Sequence, residues 1–298
     1  MRPLAVEVIA VFGPTASGKS AVAEALADRL RSEVVAADAL QVYRELPILT
    51  NQPTRPTRLV GIRSTAETMS VGEYATMAHA EIDELVAAHG TVVVAGGTGL
   101  YLRAALADMQ VPPAVSGDAR RRWEQTYDAD AAAAFTELER RDPKAAATLH
   151  PNDRHRVIRA LELSEIGASL APKGDRLWAG ALRRPTLVVG LVVPPAELER
   201  RIRDRARQMF EDGVVDEVRC ALTVGVSRTA EKALGLQEIA SLPPAEALER
   251  IVLRTRQYAS YQRKWMRRIP GLVRIEGLRD PEAIADEIVA LDASHAGD

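Results

Sequence analysis

A glycine-rich segment near the start of the chain limits the possible folds more than any other stretch. It reads Gly-Pro-Thr-Ala-Ser-Gly-Lys-Ser over residues 13–20 and has the spacing of a phosphate-binding loop. Apolar, β-prone residues at 6–12 precede it, and an Ala- and Leu-rich stretch at 21–30 follows it. This pattern predicts a strand, a loop and a helix in that order. Because the motif requires that context, a chance glycine-rich turn is the weaker interpretation.

The residue types in this loop indicate that it binds a di- or triphosphate. Gly13 and Gly18 let the backbone turn tightly, so that its N–H groups point inward toward the ligand. The Lys19 ammonium reaches the outer phosphate, and the Ser20 hydroxyl suits Mg²⁺. Considered alone, the loop predicts binding of a nucleotide such as ATP. The predicted phosphate-binding residues are Gly13, Pro14, Thr15, Ala16, Ser17, Gly18, Lys19 and Ser20.

The ends of two later strands add candidate functional residues. Asp38 follows a β-like run at 33–37, and α/β proteins bind ligands at the carboxyl ends of their parallel strands. Its carboxylate is a candidate base or hydrogen-bond acceptor, with a helix cap or a magnesium-linked acceptor as the alternative. A third run at 91–95 ends in Gly96, Gly97 and Thr98, where ATP-hydrolysing phosphate-loop proteins usually place an acidic residue. We expect the glycines to let a ligand approach and Thr98 to donate to a phosphate, or else to cap a helix.

The order of the predicted elements indicates an α/β core with a helical insertion. Residues 111–113 look like a linker, 118–166 show a charged helical pattern, and 167–184 have no periodicity. A buried strand at 186–193 then resumes the core. The predicted fold is a P-loop NTPase-like core with a parallel sheet flanked by helices, formed by residues 1–111 and 185–298. An inserted all-helical domain is predicted at 112–184.

Three basic segments are candidates for contact with phosphate. Arg156 and Arg159 lie three residues apart and therefore share one helix face, which suits a nucleic-acid backbone or an ordinary solvated surface. Arg205, on a predicted helix at 197–210, either closes over a phosphate or is an exposed arginine in an ion pair. A C-terminal helix at 246–268 alternates arginines with aromatic residues, which indicates RNA contact or core packing.

Composition narrows the setting in which the protein works. The net charge of −2 means that nucleic acid must be bound by local basic patches. Cys220 is the only cysteine, which excludes a disulfide framework and a cysteine-based zinc site. No apolar run approaches the roughly 18 residues that span a bilayer. We therefore expect a cytoplasmic monomer that has no contact with membranes.

Several short motifs follow one another along nearly the whole chain in the order found in one known family. Together with the phosphate loop they resemble the tRNA dimethylallyltransferases, also called tRNA isopentenylpyrophosphate transferases. Three places depart from the usual family sequence. Ala39 replaces a serine, which removes a hydroxyl near the base or metal. Thr57-Arg58 replaces His-His and Ser260-Tyr261 replaces Lys-Arg, and these two changes affect details of RNA contact. The matching motifs are Asp38 with Gln41–Arg44, Pro53-Thr54, Gly96–Tyr101, His150–Asp153 with Arg156 and Arg159–Glu162, and Arg256–Ala259.

The resemblance implies a reaction in which dimethylallyl diphosphate donates its prenyl group to N6 of the adenosine on the 3′ side of the tRNA anticodon. Diphosphate leaves, and Mg²⁺ is the implied cofactor. The implied partners are the tRNA anticodon stem-loop and dimethylallyl diphosphate. A phosphate loop without an acidic strand end fits this chemistry, because the loop holds a leaving group and ATP is not consumed. The helical insertion would then grip the anticodon stem.

The resemblance also implies roles for individual residues. Asp38 would be the general base, while Lys19, Thr98 and Arg205 would neutralise the leaving diphosphate, with Ser20 on the metal. The implied tRNA-binding residues are Asp38, Ala39, Leu40, Gln41, Thr98, Arg120, Arg122, Arg156, Arg159, Lys232 and Gln237.

Other functions remain open at this point. A prenyltransferase acting on free AMP or ATP is one alternative, although the helical insertion favours tRNA. A P-loop kinase of small metabolites is less consistent with the missing acidic strand end. A non-catalytic phosphate-binding module is less consistent with Asp38.

Overall fold

The computed structural model describes residues 4–109, 115, 117–171 and 181–295. The chain forms two compact units, one made of Met1–Met109 with Ala181–Asp298 and the other of Gln110–Gly180. The predicted linker at 111–113 and residues 172–180 of that at 167–184 lie outside the described residues.

The larger unit is built on a parallel sheet of five strands in the order β2-β3-β1-β4-β5. Phe12 at the end of β1 pairs with Gly96 on one side and with Gly190 on the other, so neighbouring strands end at nearly the same level. The segments that follow these strands therefore meet at one edge of the sheet. The strands are β1 (Val8–Phe12), β2 (Val34–Ala36), β3 (Val92–Gly96), β4 (Thr186–Val192) and β5 (Val273–Glu276).

Helices occupy most of the remaining described chain. In the part before the insertion they are α1 (Lys19–Leu30), α2 (Pro47–Thr50), α3 (Val71–His89) and α4 (Gly99–Leu106). Within the insertion they are α5 (Gly117–Ala129), α6 (Ala131–Arg141), α7 (Pro143–Ala146) and α8 (Arg154–Glu165). The part after it contains α9 (Pro195–Glu211), α10 (Val214–Val224), α11 (Leu236–Ser241), α12 (Pro244–Met266) and α13 (Pro281–His295).

The prediction of a parallel α/β core is confirmed, and the local signals account for several boundaries. Ser70 and Glu73 form the capping box that begins α3, with each side chain bonded to the backbone of the other residue. In the larger unit, Ile9, Val11 and Leu26 belong to a core cluster that also includes Ile284 of α13. Helices α2, α10 and α11 had no corresponding prediction. Among the described residues, no helix combines the length and the apolarity needed to cross a membrane.

Among its described residues, the smaller unit contains helices and no strands, and it has its own core. Trp123, Leu138 and Leu161 meet in this core. Asp153 caps α8 by accepting a hydrogen bond from the Arg156 backbone N–H.

Candidate active site

The phosphate loop joins β1 to α1 and takes its shape from two different steric effects. Gly18 caps α1 with a φ of 89°, in the left-handed region that favours glycine. Gly13 has no such requirement, and a Cβ there would lie 2.5 Å from the Ser17 hydroxyl. Gly13 is therefore needed to admit the buried Ser17 side chain, and only Gly18 needs the conformational freedom that we expected of both.

Thr15 ties this loop to two distant helices. Its backbone N–H donates to the Gln262 side chain of α12 at 2.8 Å. Its hydroxyl accepts a hydrogen bond from Arg205 of α9, also at 2.8 Å. Arg205 is thus drawn to the phosphate loop by a bond to a hydroxyl group and not to a carboxylate. Its closure over a phosphate stays a prediction.

A cavity of about 630 Å³ opens beside the loop, and all the residues that line it belong to the larger unit. It collects most of the site residues predicted for that unit: Thr15, Lys19, Ser20, Asp38, Ala39, Leu40, Gln41, Arg205 and Lys232. Thr98 is not among the lining residues, but its hydroxyl lies 3.0 Å from that of Tyr258, which lines the cavity. Gln237 lies elsewhere and donates to Glu231.

Faces of α9 and α12 form other parts of the cavity wall, and on α9 the sequence had assigned only Arg205 to the site. Ile202, Arg205 and Met209 recur at intervals of three and four residues along α9, so they share one face. Tyr258 and Gln262 lie four residues apart on α12, as do Ile251 and Thr255. These faces give the cavity a mixed character, with apolar groups beside the charged groups at the loop.

Asp38 follows β2 and shapes the turn beside the cavity. Its Oδ1 accepts hydrogen bonds from the backbone N–H groups of Leu40, at 2.9 Å, and Gln41, at 3.4 Å. The Gln41 side chain in turn donates to the backbone oxygens of Asn51, at 2.7 Å, and Thr50. Asp38 therefore caps a turn, where the alternative interpretation expected a helix, and it lines the cavity. Its role as a base stays a prediction.

The cationic groups at the loop are strongly desolvated. Burial lowers the pKa of Lys19 to about 8, with a smaller lowering from Arg205, while the Asp38 carboxylate acts in the opposite direction. Burial also lowers the pKa of Arg205 to about 10, again opposed by Asp38. Two cations and one carboxylate thus share a poorly hydrated space. A bound polyphosphate would restore the interactions that both cations have lost with water.

The turn after β3 differs from the expectation that its glycines leave room for a ligand. A Cβ on Gly97 would lie 2.9 Å from the Gly13 carbonyl oxygen and even closer to Gln262 Nε2. A Cβ on Gly99 would collide with the Trp265 ring. The absence of side chains here therefore admits helix α12. Thr98 is the N-terminal cap residue of α4, but its side chain makes no capping bond.

In the smaller unit, most of the predicted RNA-binding arginines are held by carboxylates. Arg120 and Arg159 both bond to Glu162, whose side chain is only 2% exposed, at 3.1 and 2.9 Å. Arg122 pairs with Glu165 at 3.0 Å. Arg156 is exposed at the start of α8. Of these four residues, Arg156 is therefore the one best presented for a phosphate backbone.

The fold and the cavity together define an enzyme of the phosphate-loop class, in which a carboxylate lies beside two desolvated cationic side chains. The family model described as IPP transferase matches residues 41–269. The tRNA dimethylallyltransferase of Rhodococcus jostii (strain RHA1) is 37% identical, with 94% of each chain covered. The chain belongs to the IPP transferase family.

Solved structures show the same relationship. The full-length tRNA isopentenylpyrophosphate transferase from Bacillus halodurans is similar with a TM-score of 0.68 and 29% identity, covering 97% of this chain and 96% of that one. A eukaryotic dimethylallyltransferase acting on tRNA is similar with a TM-score of 0.73 and 25% identity, covering 91% of this chain and 73% of that one.

Proposed function

We propose that this protein is a tRNA dimethylallyltransferase, which moves a dimethylallyl group from dimethylallyl diphosphate to N6 of the adenosine 3′-adjacent to the anticodon. The observation that carries the proposal is the composition of one cavity, in which Lys19 and Arg205 meet the carboxylate of Asp38. Family membership indicates the reaction class. The two cations suit the negative charge that develops on the diphosphate, and the carboxylate suits the proton that N6 loses.

The cationic end of the cavity suits the leaving diphosphate. As the allylic C–O bond breaks, its electron pair goes to the diphosphate oxygen, and negative charge grows there. Lys19 and Arg205 are poorly hydrated, so we expect them to stabilise this charge with little reorganisation as it develops. The N–H groups at the start of α1 add partial positive charge.

The Asp38 carboxylate suits the other half of the reaction. The adenine amino group is a weak nucleophile, because its lone pair is delocalised into the ring. As the new C–N bond forms, N6 loses a proton, and Asp38 is the carboxylate that lines the cavity to accept it. The adenine must leave its stack in the anticodon loop to enter the cavity.

The residues present fit the Mg²⁺ that the family implies. The described residues contain no group of three or more His, Cys, Asp or Glu side chains that could hold a metal. Mg²⁺ is, however, often bound by one or two protein oxygens together with substrate phosphates and water. The Ser20 hydroxyl lines the cavity beside the phosphate loop and can supply such an oxygen. Bound there, the ion would neutralise part of the charge on the diphosphate.

The RNA would be held by groups in both units. Lys232 lies at the cavity, and Arg156 is exposed on α8. We propose that these residues contact the tRNA backbone and that Gln41 reads a base edge after releasing its bonds to the 50–51 backbone. We further propose that the enzyme acts as a cytoplasmic monomer.

A transfer assay tests this function. Purified protein is incubated with labelled dimethylallyl diphosphate and Mg²⁺, with either unmodified tRNA or AMP as the acceptor. We expect label in tRNA and release of one diphosphate per prenyl group, with no ATP required. Transfer to AMP alone would instead identify a free-nucleotide prenyltransferase, and consumption of ATP without prenyl transfer would identify a kinase.

A further inference from the structure

Helix α12 presents two polar side chains, one turn apart, to the loops of the active site. Gln262 is only 2% exposed. Its Oε1 accepts from the Thr15 backbone N–H at 2.8 Å, and its Nε2 donates to the Gly97 carbonyl oxygen at 3.0 Å. Tyr258, four residues earlier, lies 3.0 Å from the Thr98 hydroxyl. We call Gln262 and Tyr258 the α12 clasp.

The Gln262 amide matches its surroundings in both hydrogen bonding and shape. A buried amide is costly unless its donor and acceptor are both satisfied, and each of its two ends is bonded to a different loop. The shape match depends on Gly97, since a Cβ there would collide with Nε2. The bare backbone at 97 and the amide at 262 are therefore complementary, although 165 positions separate them in the sequence.

We propose that Gln262 is a positioning residue for the transfer reaction. It holds the phosphate loop and the turn carrying Thr98 in the one relative placement in which both can contact the departing diphosphate. This inference rests on the proposed function. Donors fixed before the reaction stabilise developing charge without reorganising, and a displacement of about 1 Å can cost on the order of 100-fold in rate.

Tyr258 completes the clasp by acting on the Thr98 hydroxyl. When the tyrosine donates its proton to Thr98, the proton of the threonine is left for a diphosphate oxygen. Burial keeps the pKa of Tyr258 above its ordinary value, with a further contribution from Asp38, so the phenol stays protonated and can donate. Tyr258→Phe should lower kcat, whereas Tyr261→Phe, which removes an exposed hydroxyl from the same helix, should not.

The substitution Gln262→Glu tests the clasp within a single protein. A protonated carboxyl group has the same pattern as the amide, since its carbonyl oxygen accepts from Thr15 and its O–H donates to Gly97. The ionised form has only acceptors and would face the Gly97 oxygen with a negative charge. Activity relative to wild type should therefore be low at high pH and recover as the pH falls. Lys19, Asp38, Arg205 and Tyr258 share the cavity, so the wild-type profile is measured alongside to correct for their titration.

Two further variants serve as controls. Gln262→Met keeps the length of the side chain without its hydrogen bonds and should be impaired at every pH. Gln208→Glu adds the same charge on the exposed surface of α9 and should follow the wild-type pH profile. Thermal unfolding checks that each variant is folded, and the pH comparison within Gln262→Glu does not depend on whether Gln262→Met folds.

The expected result for Gln262→Glu above about pH 8 is a kcat on the order of 10- to 100-fold below wild type, with a much smaller change in KM for dimethylallyl diphosphate. The difference in kcat between Gln262→Glu and wild type should become smaller as the pH falls. A wild-type kcat in both Gln262 variants, or a Gln262→Glu deficit that does not change with pH, would overturn the proposal. Transfer to tRNA by the wild-type protein, measured in the same series, tests the proposed function. The ratio of the variant kcat to the wild-type kcat tests the clasp separately.

Discussion

Lys19 has the clearest electrostatic signature among the active-site residues. Its pKa is lowered from 10.5 to about 8 by burial, so it loses its charge at a lower pH than an exposed lysine would. We expect kcat/KM for dimethylallyl diphosphate to fall as the pH rises through about 8, because the uncharged amine attracts the diphosphate less strongly. A pH profile of initial rates measures this, and Lys19→Arg should remove that decline. A wild-type profile that stays flat between about pH 7 and about pH 9 would contradict the assignment.

Asp38 can be tested by a substitution that preserves the turn. The amide oxygen of Asp38→Asn can still accept from the Leu40 backbone N–H, but it cannot take up the N6 proton. We expect kcat to fall by on the order of 10²- to 10⁴-fold. The pKa of Lys19 should also fall further, since Asp38 is the group that raises it.

The control for this variant is Asp28→Asn, which removes a surface carboxylate paired with Arg55. Binding of dimethylallyl diphosphate by Asp38→Asn is measured below neutral pH, where Lys19 keeps its charge. A variant that binds the donor and still transfers at the wild-type rate would remove Asp38 from the general-base role.

At the scale of elements, the short helix α2 is held in place by a side chain from α10. The half-buried carboxylate of Glu217 accepts from the backbone N–H groups of Ile48 and Leu49, both at 2.7 Å. Glu217→Ala leaves both donors without this partner, and we expect the free energy of unfolding to fall by about 1–3 kcal/mol. Asp216→Ala, at the neighbouring exposed position, should change it by less than about 1 kcal/mol. If Glu217→Ala and Asp216→Ala change the free energy of unfolding in denaturant equally, the contact with α2 contributes nothing to stability.

Some of the elements and contacts around the site could be predicted from the sequence, and others could not. The phosphate loop and the Ser70 capping box were predictable, because each depends on residues within a few positions of one another. Asp38 was placed near the loop by the rule that parallel strands end at one edge of a sheet. The bond from Gln262 to Thr15 joins residues 247 positions apart, and no local pattern indicates it. Gly97 was misjudged for the same reason, since the helix that it admits comes from the far end of the chain.

At the scale of the whole molecule, the two units are expected to serve different substrates. The larger unit contains the cavity that we propose for the diphosphate, and the smaller unit is expected to contribute contacts to RNA. Because the net charge is only −2, these contacts must be local, and they should weaken as salt concentration rises.

This division predicts the effect of reversing one charge in the smaller unit. Arg156→Glu should raise KM for tRNA by on the order of tenfold. The dependence of tRNA binding on salt concentration should also weaken by the amount that about one phosphate contact contributes. KM for dimethylallyl diphosphate should not change. Arg140→Glu, at an exposed arginine paired with Glu137, is the matched control and should leave both constants near wild type. Equal rises in KM for tRNA in the two variants would point to nonspecific electrostatics.

We propose that the enzyme releases diphosphate from the cavity and transfers the prenyl group to an adenosine held within RNA. The most direct measurement is a competition in which one reaction contains equal concentrations of an unmodified anticodon stem-loop and AMP with limiting labelled dimethylallyl diphosphate. Chromatography of the nucleosides from the digested RNA then locates the label. We predict that the label appears in the adenosine 3′-adjacent to the anticodon and is absent from AMP. Label in AMP, or no transfer to either acceptor, would contradict the account.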